Sequence, residues 1–535
     1  MPGVSGPPPG TPAQKESHIR MKPIDVLHDA SPDGGFWRDG APWDIAGGDT
    51  DKLHEECGVF GVIGARDAAA VTALGLHALQ HRGQEAVGIT SFDASAGASG
   101  AGGEFYSQRG IGHVAQVFSS NEAFGGLPGT MASGHVRYST TGGSGLRNVQ
   151  PLFADLASGG FSIAHNGNIS NAMHLKHELV QKGSIFQSTS DTEVIIHLVA
   201  TSRYPTLLDR FVDALRLVEG AYSLICMTKE GIIACRDPLG IRPLVMGRIG
   251  DAIIFASETV AIDVVGGSFI REIEAGELVQ VDHDGVVSSH RPFGQHAPRP
   301  CIFEHVYFSR PDSMTGGKSV YQVRKQIGVE LAKEAPATAD LVIPVPDSGV
   351  PAAIGYAQQS GIPFELGIIR SHYVGRTFIQ PEDGARNADV KRKHNANRAL
   401  VEGQRIVLID DSIVRGTTSL KIVEMMRDAG AAEVHMRIAS PPTEHSCFYG
   451  VDTPERNKLL AARMDLKAMA QFIKADSLEF VSIDGLYRAV GEARRNPTCP
   501  QYCDACFSGE YPTRLTDLSE RTNPAQYTLP VERVA

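Results

Sequence analysis

The sequence predicts two folded units in one chain: an α+β sandwich of antiparallel strands, then an α/β unit on a parallel sheet. Three observations carry this. The chain has 535 residues, and single cores typically stop growing near ~250–300 residues. From Leu217 to Val260 apolar and polar residues alternate around turns, AYSLICMTKEGIIACRDPLG and then IRPLVMGRIGDAIIFASE, as in antiparallel strands that complete a sandwich. Further on, two short apolar runs, Leu341–Val345 and Ile406–Ile409, each lead through a small-residue loop into a helical pattern. Buried strands alternating with helices indicate a parallel sheet with ligands at the carboxyl ends of its strands.

Composition bounds the function. Hydrophobic residues make up 42% and charged residues 21%, as in an ordinary soluble protein. No run of 18 or more apolar residues exists, which argues against a transmembrane helix. A net charge of −11 argues against nucleic acid as the main partner. Eight cysteines in so long a chain are too sparse for a disulfide framework. They read as reduced thiols, a nucleophile or metal ligands in a cytoplasmic protein.

Residues 1–50 contain eight Pro and eight Gly, little periodicity and both tryptophans, Trp37 and Trp43. That composition matches a disordered leader, here residues 1–56, and lacks the basic and apolar regions of a secretory signal. Cys57 then opens CGVFGVIG, apolar and Gly-rich like a buried strand. A lone Cys there would ordinarily be a core residue. As a mature N-terminus, the same residue would supply both a thiol nucleophile and an α-amine of pKa near ~7.7–8 to act as its base. The first unit spans 57–287. SSHRPFGQHAPRP reads as a connector, 288–300, and the second unit spans 301–500 before a C-terminal segment, 501–535.

RIVLIDDSIVRGTTS, Arg405 to Ser419, joins a strand, an acid pair (Asp410, Asp411), a loop (Ser412, Arg415, Gly416, Thr417, Thr418) and a helix start. Unpaired N–H groups and the helix dipole favour an anion at such a helix start. Gly416 permits close approach, and the hydroxyls add donors. The two carboxylates can accept from adjacent ribose hydroxyls or help hold Mg2+. One phosphate pocket with two carboxylates suits a phosphorylated sugar. Asp347, Ser348 and Gly349, after the Leu341–Val345 run, offer a second set of loop N–H groups.

VLIDDSIVRGTTS resembles the phosphoribosylpyrophosphate (PRPP) signature of type I phosphoribosyltransferases, in the form found in glutamine PRPP amidotransferases. CGVFGV resembles the start of class II glutamine amidotransferases of the N-terminal-nucleophile (αββα sandwich) fold. ALQHRGQEAVGI, GHVRYSTTG, IAHNGNIS and TSDTEVI match that family in order. The resemblance implies a Cys57 nucleophile released by removal of the leader. It implies Arg137 on the glutamine α-carboxylate, Asp191 on the α-amine, and Asn166 with Gly167 as the oxyanion hole. On the PRPP side it implies Asp347, Ser348 and Gly349 at pyrophosphate, and Ser348 with Asp410 and Asp411 around Mg2+. SHYVGRTFIQP (Ser371–Pro381) would be the closing loop, with Arg376 and Thr377 as contacts. KRKHN (Lys391–Asn395) is either a solvated basic face or part of a nucleotide feedback site.

Five cysteines remain: Cys301, Cys447, Cys499, Cys503 and Cys506. Two distant thiols plus the Cys503–Cys506 CxxC could bind structural zinc or an iron–sulfur cluster, and spacing alone does not choose. The resemblance favours a [4Fe–4S] cluster on Cys301, Cys447, Cys503 and Cys506, although Ser446 stands where the family pattern has Pro. Cys499 is left out. The family further implies release of ammonia from glutamine, its transfer to PRPP to give 5-phosphoribosylamine at the opening of purine synthesis, purine nucleotides as feedback inhibitors, and a homotetramer.

Overall fold

A computed structural model of the protein describes residues 54–55, 57–96, 102–120, 124–138, 145–370 and 394–519, all in one compact unit that begins at Asp49. The leader expected over 1–56 lies outside the described residues apart from the backbone of His54–Glu55, which pairs antiparallel with Val451–Asp452.

The first half is a four-layer sandwich. Seven antiparallel strands form one sheet, in the order Ser268–Glu272, Val245–Ile249, Ala252–Ala256, Cys57–Ile63, Met131–Arg137, Ala86–Asp93 and Glu104–Ile111. Six more form the facing sheet, in the order Val287–His290, Leu278–Asp282, Gly231–Arg236, Gly220–Thr228, Gly159–Ile169 and Leu152–Leu156. Val59, Phe92, Met131, Ile225, Met227 and Phe255 fill the space between the sheets. Alternate residues of the same strands, Phe60, Val62 and Val136, face the helix Ala68–Ala78 on the outside. Burial on both faces is why these strands read as nearly continuous apolar runs. Helices Ala172–Gln181, Thr192–Thr201 and Leu207–Leu215 cover the second sheet. The last strand, Val287–His290, carries this sheet slightly into the stretch read as a connector.

The second half is a parallel sheet of Leu341–Pro344, Arg405–Asp410, Glu433–Ile438 and Ser477–Phe480, in that order. Val342, Val407 and Ile409 pack with helices Val320–Glu334 and Val350–Ser360 on one face. Ile343, Ile406 and Leu408 pack with Thr417–Asp428 on the other. The period of two thus puts helices on both faces and leaves the carboxyl edge open. The two leading strands are adjacent and in parallel register, Pro344 opposite Ile409, so the loops after them emerge side by side.

Candidate active site

Cys57 opens the central strand of the first sheet, directly opposite Arg137 at the end of its neighbour. Both are buried. The facing sheet brings Asn166 and Gly167 on the strand Gly159–Ile169, so HNGN lies within a strand and not in a hairpin turn. Asn166 Nδ2 donates to Ser257 Oγ at 3.2 Å, and that oxygen also accepts from Val59 N at 3.0 Å. One hydroxyl therefore ties Asn166 to the strand that begins with Cys57. Gly167 has φ +144°, and a Cβ there would stand 2.1 Å from the Ala221 carbonyl oxygen, so only glycine fits.

Asp191 precedes the helix Thr192–Thr201 and accepts from Ile169 N at 2.9 Å, two residues beyond Gly167. Burial alone would raise its carboxyl. His165, whose Nδ1 lies 3.7 Å away, and the bonds from Ile169 and Thr192 outweigh that and hold it below the usual carboxylate range. Asp191 is thus an anion suited to an ammonium group. His135 is pushed down to about 3, first by burial and then by the Arg137 charge, so it is neutral at ordinary pH.

At the parallel edge, Val345 N donates to Ile409 O at 2.8 Å, which locks the Asp347–Gly349 loop against the acid-bearing strand. A Cβ on Gly349 would meet Ile409 O at 2.4 Å. Asp347 pairs with Arg370, and Ser348 is half-buried. Asp410 and Asp411 are buried side by side. Asp411 N donates to Asp410 Oδ1 at 2.9 Å, and Ser412 Oγ donates to Asp411 Oδ1 at 2.7 Å. Gly416, with φ +81°, immediately precedes the helix Thr417–Asp428, so Arg415, Gly416, Thr417 and Thr418 wrap its N-terminus. Arg376, Thr377 and Lys391–Lys393 lie outside the described residues, whereas His394 and Asn395 form a short strand with Ile368–Arg370.

A third constellation lies where the halves meet. Cys301, Cys447, Cys503 and Cys506 line one cavity of about 20 Å³. Backbone bonds hold its walls: Cys503 N to Pro300 O at 2.9 Å, and His445 N to Cys506 O at 3.1 Å. Burial pushes the Cys301 thiol up to about 12 and raises those of Cys503 and Cys506 well above the ordinary thiol range. Among the described residues no three His, Cys, Asp or Glu converge as a single-ion site. Cys499 is exposed and outside this cavity, and Cys226 and Cys235 are core residues of the second sheet.

Sequence reading missed three links between the halves. Arg82 is fully buried and bridges Glu258 of the first half to Glu304 of the second, with Nη2 2.7 Å from Glu304 Oε2. Asn168 Nδ2 donates to Phe448 O at 3.0 Å, and a Cβ on Gly450 would stand 3.0 Å from Gly167 Cα. Asp517 accepts from Met173 N and His174 N, each at 2.8 Å, capping the helix Ala172–Gln181. A signal for the first did exist, because charged residues inside the apolar strings around Arg242 and Glu304 ask for buried partners. The other two depend on backbone proximity, which no motif encodes.

Comparison with known proteins agrees with this architecture. Residues 135–264 match the model of a glutamine amidotransferase domain, and residues 317–440 that of a phosphoribosyl transferase domain. The fold and sites therefore define a two-domain enzyme of the class that joins a glutaminase to a pentosyltransferase. An amidophosphoribosyltransferase of Rhizobium etli is 57% identical over 474 residues, 88% of this chain and 94% of that protein. Among solved structures, glutamine PRPP amidotransferase from B. subtilis, complexed with ADP and GMP, matches with a TM-score of 0.79 and 45% identity, over 86% of this chain and 98% of that one. A structure described as the allosteric regulatory enzyme of purine biosynthesis matches with a TM-score of 0.80 and 46% identity, over 86% and 97%. The chain belongs to the amidophosphoribosyltransferase family.

Proposed function

We propose that this chain takes ammonia from glutamine at Cys57 and uses it to displace pyrophosphate from C1 of PRPP, giving 5-phosphoribosylamine, pyrophosphate and glutamate at the first step of purine biosynthesis. The observation that carries this reading is the presence of both constellations in one chain, with the Gly167 strand in direct contact with the Phe448–Gly450 segment of the other half. Residues 57–287 are the glutaminase unit and 301–500 the phosphoribosyl unit.

In the first unit, Arg137 grips the glutamine α-carboxylate through a charge-assisted fork and Asp191 takes the α-ammonium. The Cys57 sulfur attacks the side-chain amide carbon. Burial and the Arg137 charge make His135 too weakly basic to take that thiol's proton, which supports the α-amine of Cys57 in the role once residues 1–56 are removed as a propeptide. Asn166 Nδ2 and Gly167 N–H receive the oxyanion, each donor worth on the order of 3 kcal/mol. Collapse expels ammonia and leaves a thioester, whose C–S bond water then breaks to give glutamate.

In the second unit, the loops at Asp347–Gly349 and Ser412–Thr418 cradle the pyrophosphate and 5-phosphate, and Asp410 and Asp411 orient the ribose. Arg376 and Thr377 are proposed as contacts of a closing loop. Ser348, Asp410 and Asp411, an all-oxygen set, would hold Mg2+, which supplies charge neutralisation to the leaving pyrophosphate. Cys301, Cys447, Cys503 and Cys506 would hold a [4Fe–4S] cluster that staples the C-terminal segment to the phosphoribosyl unit. The four thiols line one cavity, and the resemblance of their sequence contexts to the iron–sulfur branch of the family supports a cluster over zinc. Purine nucleotides are the proposed feedback inhibitors, in keeping with the ADP and GMP of the B. subtilis structure. A cytoplasmic homotetramer completes the reading. Among the described residues no helix is long and apolar enough to cross a membrane.

The test uses protein purified without oxygen. Pyrophosphate release should require both glutamine and PRPP, and the active species should have an intact mass starting at Cys57. No release would defeat the reading, and an active uncleaved chain would refute the amine as base.

A further inference from the structure

Among the described residues, the four-cysteine cavity has one charged side chain in its lining, and it belongs to neither the thiols nor the catalytic sites. Arg242, from the glutaminase half, is fully buried and lines the same cavity as Cys301, Cys447, Cys503 and Cys506. The other lining side chains, among them Phe303, Tyr449 and Val451, carry no formal charge. On its far side, Arg242 Nη2 lies 3.0 Å from Glu304 Oε1. The second Glu304 oxygen is held by Arg82 Nη2 at 2.7 Å and by Ser309 Oγ at 2.6 Å. One carboxylate thus serves two guanidiniums, and the outer one meets the thiols.

We propose that Arg242 is the counter-charge of the four-thiolate centre, a positioning residue that makes a net negative metal group tolerable at a buried boundary between the domains. This rests on the metal-binding reading of the four cysteines. Binding any metal group there requires ionised thiolates. Four thiolates leave either an iron–sulfur core or zinc with net negative charge, and a buried negative group needs a partner. Among the described residues, Arg242 is the cation that lines the cavity. Its own position is fixed by Glu304, so the charge does not depend on a mobile surface chain. Net charge and nearby donors also set the reduction potential of a cluster, so the same residue tunes whatever redox behaviour the centre has.

The experiment compares wild type, R242Q and R242K, each purified as the full chain without oxygen. Iron and sulfide content, the potential of the centre by redox titration, and the half-life of its visible absorbance in air are measured. In R242Q, Glu304 keeps Arg82 and Ser309, so the interface retains a paired carboxylate. Removing the cation should shift the potential to more negative values and shorten the half-life in air at least about threefold. R242K should match wild type in both. If R242Q does not accumulate, R242K decides alone: a wild-type potential supports the assignment, and a shifted one overturns it. Equal potentials and half-lives in R242Q and wild type also overturn it. Wild type that carries zinc would sink the cluster reading but leave Arg242 testable, because R242Q should then lose zinc to a chelator at least about threefold faster; an equal rate overturns the proposal. Wild type with neither metal defeats both.

Discussion

The carboxyl edge of the parallel sheet and the thiol site are held by different means. The edge is nearly contiguous in sequence. Asp410, Asp411 and the Ser412–Thr418 loop follow one strand, and a single parallel neighbour brings Asp347–Gly349 alongside. The thiol site gathers Cys57, Arg137, Asn166 and Asp191 from three strands on two sheets and one helix start. The first needs only local backbone geometry and one sheet. The second exists only while two sheets stay packed, and its Asn166–Gly167 strand also leans on Phe448 and Gly450 of the other half. Damage at the edge should therefore stay in the phosphoribosyl unit, whereas damage at the interface should reach the glutaminase.

The largest expected effect tests the self-contained edge. Asp410→Asn with Asp411→Asn should lower pyrophosphate release on the order of 10²–10³-fold with either glutamine or ammonium as nitrogen donor. A melting temperature close to wild type would show that the loss is chemical. If ammonium still supported normal release, the acid pair would have no role at PRPP.

The interface comes next. Glu304→Gln leaves Arg82 and Arg242 sharing a neutral amide in a dry setting, and should cost about 3–5 kcal/mol in chemical unfolding. The intact network also fixes a pH dependence. Glu258 and Glu304 are each penalised by burial but pulled below the usual carboxylate range by Arg82, with further help from His81 and Arg242 respectively. Their contribution is thus full above the ordinary glutamate range near 4.5 and is lost as pH falls below it. Unfolding measured from pH 7 down to pH 3 should show this loss, and Glu304→Gln should flatten it.

Gly167→Ala separates the two sites more finely. Its Cβ would press on Ala221 O and on His165 Nε2, a strain of about 1–3 kcal/mol. Glutamine-dependent turnover should fall about tenfold or more while ammonium-dependent turnover falls far less. Equal losses would mean that the strand does not belong to the glutamine site. The smallest effect is expected from Asp517→Asn, which weakens the cap on the helix Ala172–Gln181 by about 0.5–1 kcal/mol. Thermal unfolding resolves a change of that size.

This contrast also explains what could be read in advance. The edge was legible because strand, acid pair, loop and helix start are consecutive, so periodicity and helix-terminus chemistry place them together. For the thiol site, strands and residue types were legible, but their convergence came from resemblance, since no spacing rule sets Asn166 beside Val59 through Ser257. HNGN has the composition of a hairpin turn, yet it lies within a strand. Only the pairing of Gly159–Ile169 with Gly220–Thr228 decides, because Gly167 lets the backbone pass Ala221 closely. The Arg82 network, the Gly450 contact and the Asp517 cap are long-range products of docking, and local sequence carries no register for them.

The central claim is that one chain makes ammonia at Cys57 and spends it at the Asp410–Thr418 edge. The most direct measurement compares pyrophosphate release by wild type and Cys57→Ala, each with glutamine and with ammonium, under anaerobic conditions. The account predicts loss of the glutamine-supported rate on the order of 10³-fold, with the ammonium-supported rate kept within about twofold, provided that the variant is expressed without residues 1–56 so that processing is not in question. A Cys57→Ala protein that still used glutamine, or one that had lost the ammonium reaction as well while remaining folded, would contradict it.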